Sequence, residues 1–169
     1  MLIQQNVDGS YFFNRSWAEF KVGFNDSRGN YWLGNDLLSQ LTVNDRYKLK
    51  FELQSRSNTS NWYSAQYSTF RVLPETHNYE LQVYRYAGNA GRDAFSYHNN
   101  MMFSTHDRDN DKLTTRNCAA YWGGGFWYNK CFECAVNVFY SSPPWGFSWY
   151  GLPGGRLLQS SRMLSLIHI

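Results

Sequence analysis

Asp107-Arg108-Asp109-Asn110-Asp111 sets a carboxylate at every second position, and from Cys118 the chain runs through Tyr121-Trp122-Gly123-Gly124-Gly125-Phe126-Trp127-Tyr128-Asn129-Lys130-Cys131 to Cys134. Carboxylates this close repel one another unless solvent or a cation relieves the charge, and calcium prefers hard oxygen ligands of this kind, supplemented by backbone carbonyls. The run imitates the start of an EF-hand loop. Counted from Asp107, however, the sixth position is Lys112 rather than Gly and the twelfth is Cys118 rather than Glu, which excludes that loop. On its residues alone the run is either a calcium loop or a solvated acidic turn.

The cysteines leave a similar choice. Cys131-Phe132-Glu133-Cys134 has redox-motif spacing, but no strand is signalled before it and no helix after it. A structural zinc needs four ligands, and His77, His98, His106 and His168 show no close spacing that completes the set. One disulfide and one buried thiol is the favoured reading. No G-x-S-x-G elbow, phosphate-binding Gly-rich loop or H-E-x-x-H motif is present. His98 and His106 beside Asp107 make at most half a triad and read better as hydrogen-bonded scaffold, so no enzyme is expected.

Around this stretch, Gly, Asn, Asp, Pro and Trp dominate residues 88–155, where long regular elements are not expected. Upstream the periods are clear. Ser16 with Glu19 three residues on forms a capping box, with Trp17, Phe20 and Phe24 on one face, predicting a helix over 16–23. A second helix fits 35–41, with Asn35 as cap and Leu37, Leu38 and Leu41 as its apolar side. Residues 25–30 are a turn cluster. Leu49, Phe51 and Leu53, then Tyr63, Ala65 and Tyr67, then Leu81, Val83 and Arg85 repeat with the strand period of two. The fold class expected is α+β: an antiparallel sheet flanked by short helices over 1–87, followed by an irregular part over 88–163 held by calcium and a disulfide, all in one domain over 1–169.

Composition excludes several classes. The chain of 169 residues is 19% aromatic and only 17% charged, which rules out disorder and a coiled coil. A net charge of +3 without any Lys or Arg run gives no nucleic-acid footprint, and no apolar run is long enough to span a bilayer. Met1-Leu2-Ile3 is followed by Gln4 and Gln5, which provides no secretory signal, so the chain is expected either to be cytosolic or to lack its beginning. Three N-glycosylation triplets start at Asn14, Asn25 and Asn58.

The order of Asp8-Gly9-Ser10, Phe13-Asn14-Arg15-Ser16-Trp17, Gly23-Phe24, Tyr31-Trp32-Leu33-Gly34-Asn35, Tyr97-His98-Asn99, Met102-Phe103-Ser104-Thr105, the acidic run, Asn117-Cys118-Ala119 and Trp127-Tyr128-Asn129-Lys130-Cys131 resembles the fibrinogen-related domain, the globular module of fibrinogen, ficolins, tachylectins, angiopoietins and tenascins. The matches cover residues 3–163. The resemblance implies calcium bound by the side chains of Asp109 and Asp111 with carbonyls near Leu113 and Thr115, and a Cys118 to Cys131 disulfide. One residue is inserted between Asp111 and Cys118 relative to the usual spacing. It also implies a ligand pocket at Trp122, Lys130, Cys131 and Phe132, organised by a cis peptide before Cys131. The family's first cysteine pair and first strand lie before the point where the chain begins, which would leave part of the sheet unpartnered, and 164–169 departs from the usual ending.

From this follows a secreted, calcium-dependent lectin-type module for carbohydrate or acetylated groups, of innate-immunity type, gathered into oligomers by an upstream region. The alternative is an angiopoietin- or tenascin-like module that binds a protein receptor, with calcium only structural. Phe132 where lectin-like members commonly carry His, the replacements Cys134, Ala135 and Val138, and a shortened loop at Ser141-Ser142-Pro143-Pro144-Trp145 favour the alternative. Cys134 has no family partner and is expected as a free thiol or an intermolecular link.

Overall fold

A reciprocal pair of hydrogen bonds starts the first helix. The Ser16 hydroxyl accepts from the Glu19 backbone N–H at 3.3 Å, and the Glu19 carboxylate accepts from the Ser16 N–H at 2.9 Å, satisfying two otherwise orphaned donors. The computed structural model describes residues 1–44, 47–140 and 145–167. In chain order these form β1 (Leu2–Asn6), α1 (Trp17–Val22), β2 (Phe24–Asn25), β3 (Tyr31–Trp32), α2 (Asn35–Thr42), β4 (Tyr47–Ser55), β5 (Trp62–Val72), β6 (Leu81–Gly88), α3 (Cys118–Trp122), β7 (Cys134–Tyr140), β8 (Gly146–Trp149) and β9 (Leu158–Ile167).

Helix α1 buries Trp17 and Phe20 as its spacing predicts. Helix α2 is offset from expectation: Gly34 precedes it at φ 108°, and Asn35 is a buried first-turn residue. The Asn35 carboxamide oxygen accepts the Trp32 indole N–H at 3.0 Å and does not cap the helix. The buried face is therefore Asn35, Leu38, Ser39 and Thr42, while Leu37 is exposed.

Among the described residues seven strands form one sheet in the order β2-β3-β1-β9-β4-β5-β6, and β7 and β8 form a separate ribbon. All pairings are antiparallel. Leu49, Phe51 and Leu53 on β4 and Ala65 and Tyr67 on β5 turn inward as their alternation requires. On β6 the alternation stops after Val83, because Arg85 adopts φ 63° and is exposed.

Strand β9 corrects the extent of the irregular part. It runs from Leu158 and pairs with β4 as far as Tyr47 opposite Ile167 and with β1 on its other side, so residues 158–163 are regular and central. Its inward positions Ser161 and Ser165 are hydrophilic, which hides the strand period. Burial is made tolerable by a polar network, since a buried polar group is costly only when unpaired. Within it Gln4 Nε2 donates to Val136 O at 2.9 Å and Ser161 Oγ at 3.2 Å, and Asn6 Nδ2 donates to Val136 O at 3.0 Å. That network fastens the sheet to β7.

Between sheet and ribbon lies an aromatic core. Phe51, on β4, meets Phe95 at 4.8 Å and Trp149 at 5.1 Å; Trp127 meets Phe103 at 5.2 Å and Trp32 at 6.1 Å. The glycine run before Trp127 is dictated by close approach: a Cβ on Gly124 would lie 1.8 Å from Asn137 O on β7.

Candidate recognition site

The acidic run folds into a self-braced loop with divided tasks. Asp107, itself exposed, ties the loop to α1, accepting the Trp17 N–H at the start of α1 at 2.9 Å and the Thr105 hydroxyl at 2.7 Å. Asn110 Nδ2 donates to Phe103 O at 2.8 Å. Asp111 uses one oxygen for the Leu113 N–H and the other for the Cys118 N–H, both at 2.8 Å. The Asp111 N–H in turn donates to Asp109 Oδ1 at 3.2 Å. Burial, and then the proximity of Asp109, push the Asp111 carboxyl above its ordinary pKa.

Among the described residues no group of three or more His, Cys, Asp or Glu side chains is placed to hold a metal. A set of two carboxylates completed by backbone carbonyls is a different, all-oxygen arrangement. Two neighbouring carboxylates, with the Asp111 carboxyl made costlier to ionise by burial and by the nearby Asp109, supply the hard anionic chemistry that suits calcium, so the residues present fit that ion.

Asn117 closes the loop. Its Nδ2 donates to Thr105 O at 3.0 Å, and its Oδ1 accepts the Ala120 N–H at 3.0 Å, capping α3. Cys118 at the head of α3 is joined to Cys131 by a disulfide with Cα atoms 5.4 Å apart, the pairing that the resemblance implies. Cys131 lies in the left-handed region at φ 57°. The turn around it is tied to the acidic loop by the Lys112 N–H donating to Asn129 O at 3.0 Å.

His98 is the scaffold histidine that its context suggested. It is fully buried, and burial holds its pKa down to about 4, so the ring is neutral. Its Nδ1 lies 2.8 Å from Trp127 O and donates to it. Its Nε2 accepts the Glu133 and Cys134 N–H groups at 3.3 and 3.4 Å. The imidazole thus clips together the backbone on both sides of Cys131. Protonation would turn Nε2 from acceptor to donor. With the folded pKa below the unfolded value of about 6.5, the unfolded chain binds more protons between the two values, so stability falls on acidification through that window. Lowering the pH from 7 to 5 is expected to cost about 2 kcal/mol. Urea titrations of the parent and His98→Asn check this, the variant losing most of that slope.

Leu113, Arg116, Tyr121, Trp122, Lys130, Cys131 and Trp145 line one depression of about 370 Å³. Four of the expected residues, Leu113, Trp122, Lys130 and Cys131, are brought together there. Phe132 stands behind them, its ring edge-on to Trp122 at 5.0 Å. Thr115 is exposed and outside the lining. Arg116, Tyr121 and Trp145 were not foreseen as lining residues. The Arg116 guanidinium lies 4.4 Å from the Tyr121 ring centre, and that of Arg156 lies 4.3 Å from Trp145. Of the loop expected to be shortened, Ser141, Ser142, Pro143 and Pro144 lie outside the described residues. Cys134 is a fully buried thiol on β7, raised in pKa by burial, which corrects the expected option of an intermolecular link. No described helix is long and apolar enough to cross a membrane.

Comparison with known proteins agrees with this architecture. The family described as fibrinogen beta and gamma chains, C-terminal globular domain, matches residues 1–155. Angiopoietin-related protein 2 of Homo sapiens is 44% identical over 130 residues, covering 77% of this chain and 26% of that protein. Angiopoietin-related protein 7 of Mus musculus is 38% identical over 161 residues, covering 92% and 47%. The chain thus spans between about a quarter and a half of these relatives' length. The fibrinogen-like globe domain of human ANGPTL2 superposes with a TM-score of 0.87 at 37% identity, covering 99% of this chain and 80% of that one. Lamprey fibrin D-dimer, complexed with the peptide ligand Gly-His-Arg-Pro-amide, gives a TM-score of 0.83 at 29% identity, covering 98% and 60%. Of the two expectations drawn from the resemblance, these relatives favour the angiopoietin-like one over the lectin-like one. In sequence and in fold the chain belongs to the fibrinogen C-terminal globular domain family.

Proposed function

We propose that the domain recognises a protein partner outside the cell, through the depression between α3 and Trp145, and catalyses no reaction. The observation that carries this reading is the gathering of Tyr121, 57% exposed, Trp145, 48% exposed, and Trp122 in one depression with Arg116. Tyr, Trp and Arg are the residue types that dominate binding energy at protein interfaces. Phe132 occupies one flank of the Trp122 ring, the ring to which a lectin would give its sugar. The Cys118–Cys131 disulfide suits an oxidising, extracellular compartment.

Calcium enters as a structural ion held by Asp109 and Asp111 with the carbonyls near Leu113 and Thr115. When bound it neutralises the two carboxylates. The residues of the loop do the rest: Asp111 holds the Cys118 N–H, and Lys112 holds the turn before Cys131.

An ion that binds only the folded state stabilises it by mass action, by about 2.7 kcal/mol at a hundredfold excess over Kd. Thermal unfolding is expected to shift upward with calcium in the parent and not in Asp109→Asn with Asp111→Asn, with no further shift on titration with N-acetylglucosamine. A calcium response that survives in the double variant removes the site, and a sugar shift restores the lectin reading. Fluorescently labelled domain is expected to bind cells, to lose that binding when surface proteins are trypsinised, and to keep it when surface glycans are enzymatically removed. Trp122→Ala with Lys130→Glu should reduce it about tenfold or more.

A further inference from the structure

The solvent face of the central sheet carries a second depression, of about 320 Å³, which shares no lining residue with the first. Trp62, 43% exposed, stands at its edge. Lys50, Glu52, Ser64, Asn89 and Arg162 make its floor. The two cations converge on one carboxylate, at 2.9 Å from Lys50 and 2.7 Å from Arg162 to Glu52, and Asn89 Oδ1 accepts the Ser64 N–H at 2.7 Å. Charges already directed at one another give weak purchase on a phosphate or carboxylate. They do offer hydrogen bonds to neutral hydroxyls, beside the Trp62 ring, which holds the Arg162 guanidinium 5.2 Å from its centre and still exposes enough surface for the C–H face of a sugar to pack on it.

Asn58 heads an acceptor triplet on the β4–β5 hairpin whose strands frame this depression. Trp62 pairs with Gln54 across the hairpin, so Asn58 sits midway between them, no more than about 14 Å of chain from either. Asn58 is exposed, and its Oδ1 accepts the Ser60 N–H at 3.1 Å. Its amide nitrogen, the atom that glycosylation consumes, donates no hydrogen bond among the described residues. We propose that Asn58 carries an N-linked glycan whose first sugars lie in the Trp62 depression and brace the sheet. The donor is an oligosaccharide on a lipid pyrophosphate. Asn58 Nδ2 bonds to the anomeric carbon and gives up one proton to a base of the transferring enzyme, while the carbon–oxygen bond to pyrophosphate breaks and the lipid pyrophosphate leaves with the bonding electron pair.

The test uses chain secreted from a glycosylating host in an Asn14→Gln, Asn25→Gln background, so that Asn58 alone reports. Mass mapping is expected to find Asn58 occupied, and the acetamide methyl resonance of its first sugar to lie upfield, shifted by the Trp62 ring current. Enzymatic removal of the glycan should lower Tm by about 3 °C. That drop should shrink below about 1 °C in Trp62→Ala and be intermediate in Trp62→Phe. An unoccupied Asn58 in folded, secreted protein overturns the proposal. So does an unshifted methyl resonance, which needs no variant, and so does an equal Tm drop with and without Trp62.

Discussion

Trp127→Ala is expected to lower unfolding free energy by about 4 kcal/mol, the middle of the range for emptying a large aromatic site. Trp127 is fully buried and makes ring contacts with Phe103, Trp32, Phe126 and Phe95 at 5.2, 6.1, 5.6 and 6.2 Å. Its indole N–H donates to Tyr79 O at 2.7 Å, and its carbonyl receives His98. Truncation therefore opens a void, leaves a buried carbonyl unpaired and loosens the His98 clip together. Urea unfolding followed by near- and far-ultraviolet circular dichroism should show one cooperative transition at a lower midpoint with unchanged slope. Trp127→Phe keeps most of the volume and loses the N–H, so it should cost about 1–3 kcal/mol. A parent-like midpoint in both variants would contradict the packing described.

The second large effect is confined to the side of the acidic loop and α3. Cys118→Ala with Cys131→Ala frees a loop closed across a separation of 13 residues, and a loop of that size is worth about 3 kcal/mol in the chain-entropy account. Cys131 also loses the bond that helps to hold it at φ 57°, a region non-glycine residues seldom adopt. Hydrogen exchange should accelerate over residues 108–132 while the amides of β4, β5 and β9 stay protected, because no pairing in the sheet depends on the loop. Equal acceleration in both regions would mean that the disulfide serves the whole domain instead.

What could be read from the chain follows how far apart the cooperating residues are. The α1 capping box spans four residues, and β4 writes its buried face directly in Leu49, Phe51 and Leu53, so both were legible. For α2 the propensity of Asn35 as a cap was correct in general and wrong here, because the nearby Trp32 indole claims its side chain. Strand β9 was invisible, since Ser161 is acceptable in the core only beside Gln4, 157 positions away. Of the candidate depression, the resemblance named Trp122, Lys130 and Cys131, next to the disulfide, and the structure brings these three together. Arg116 comes from a loop, Tyr121 from α3 and Trp145 from the bend just before β8, and no local period links them.

The burial of Cys134 has a bearing on how the chain reaches its oxidised form. In an unstructured chain Cys118 meets two competing thiols only three residues apart, Cys131 and Cys134, and loop-closure statistics barely separate them. Once β7 pairs with β8, Cys134 lies opposite Trp149 with no exposed surface. A Cys118–Cys134 isomer is then incompatible with the ribbon, and a thiolate cannot reach the sulfur to reshuffle it. Strand pairing thereby acts as the proofreader of covalent pairing, choosing between two nearly equivalent sulfurs by hiding one of them.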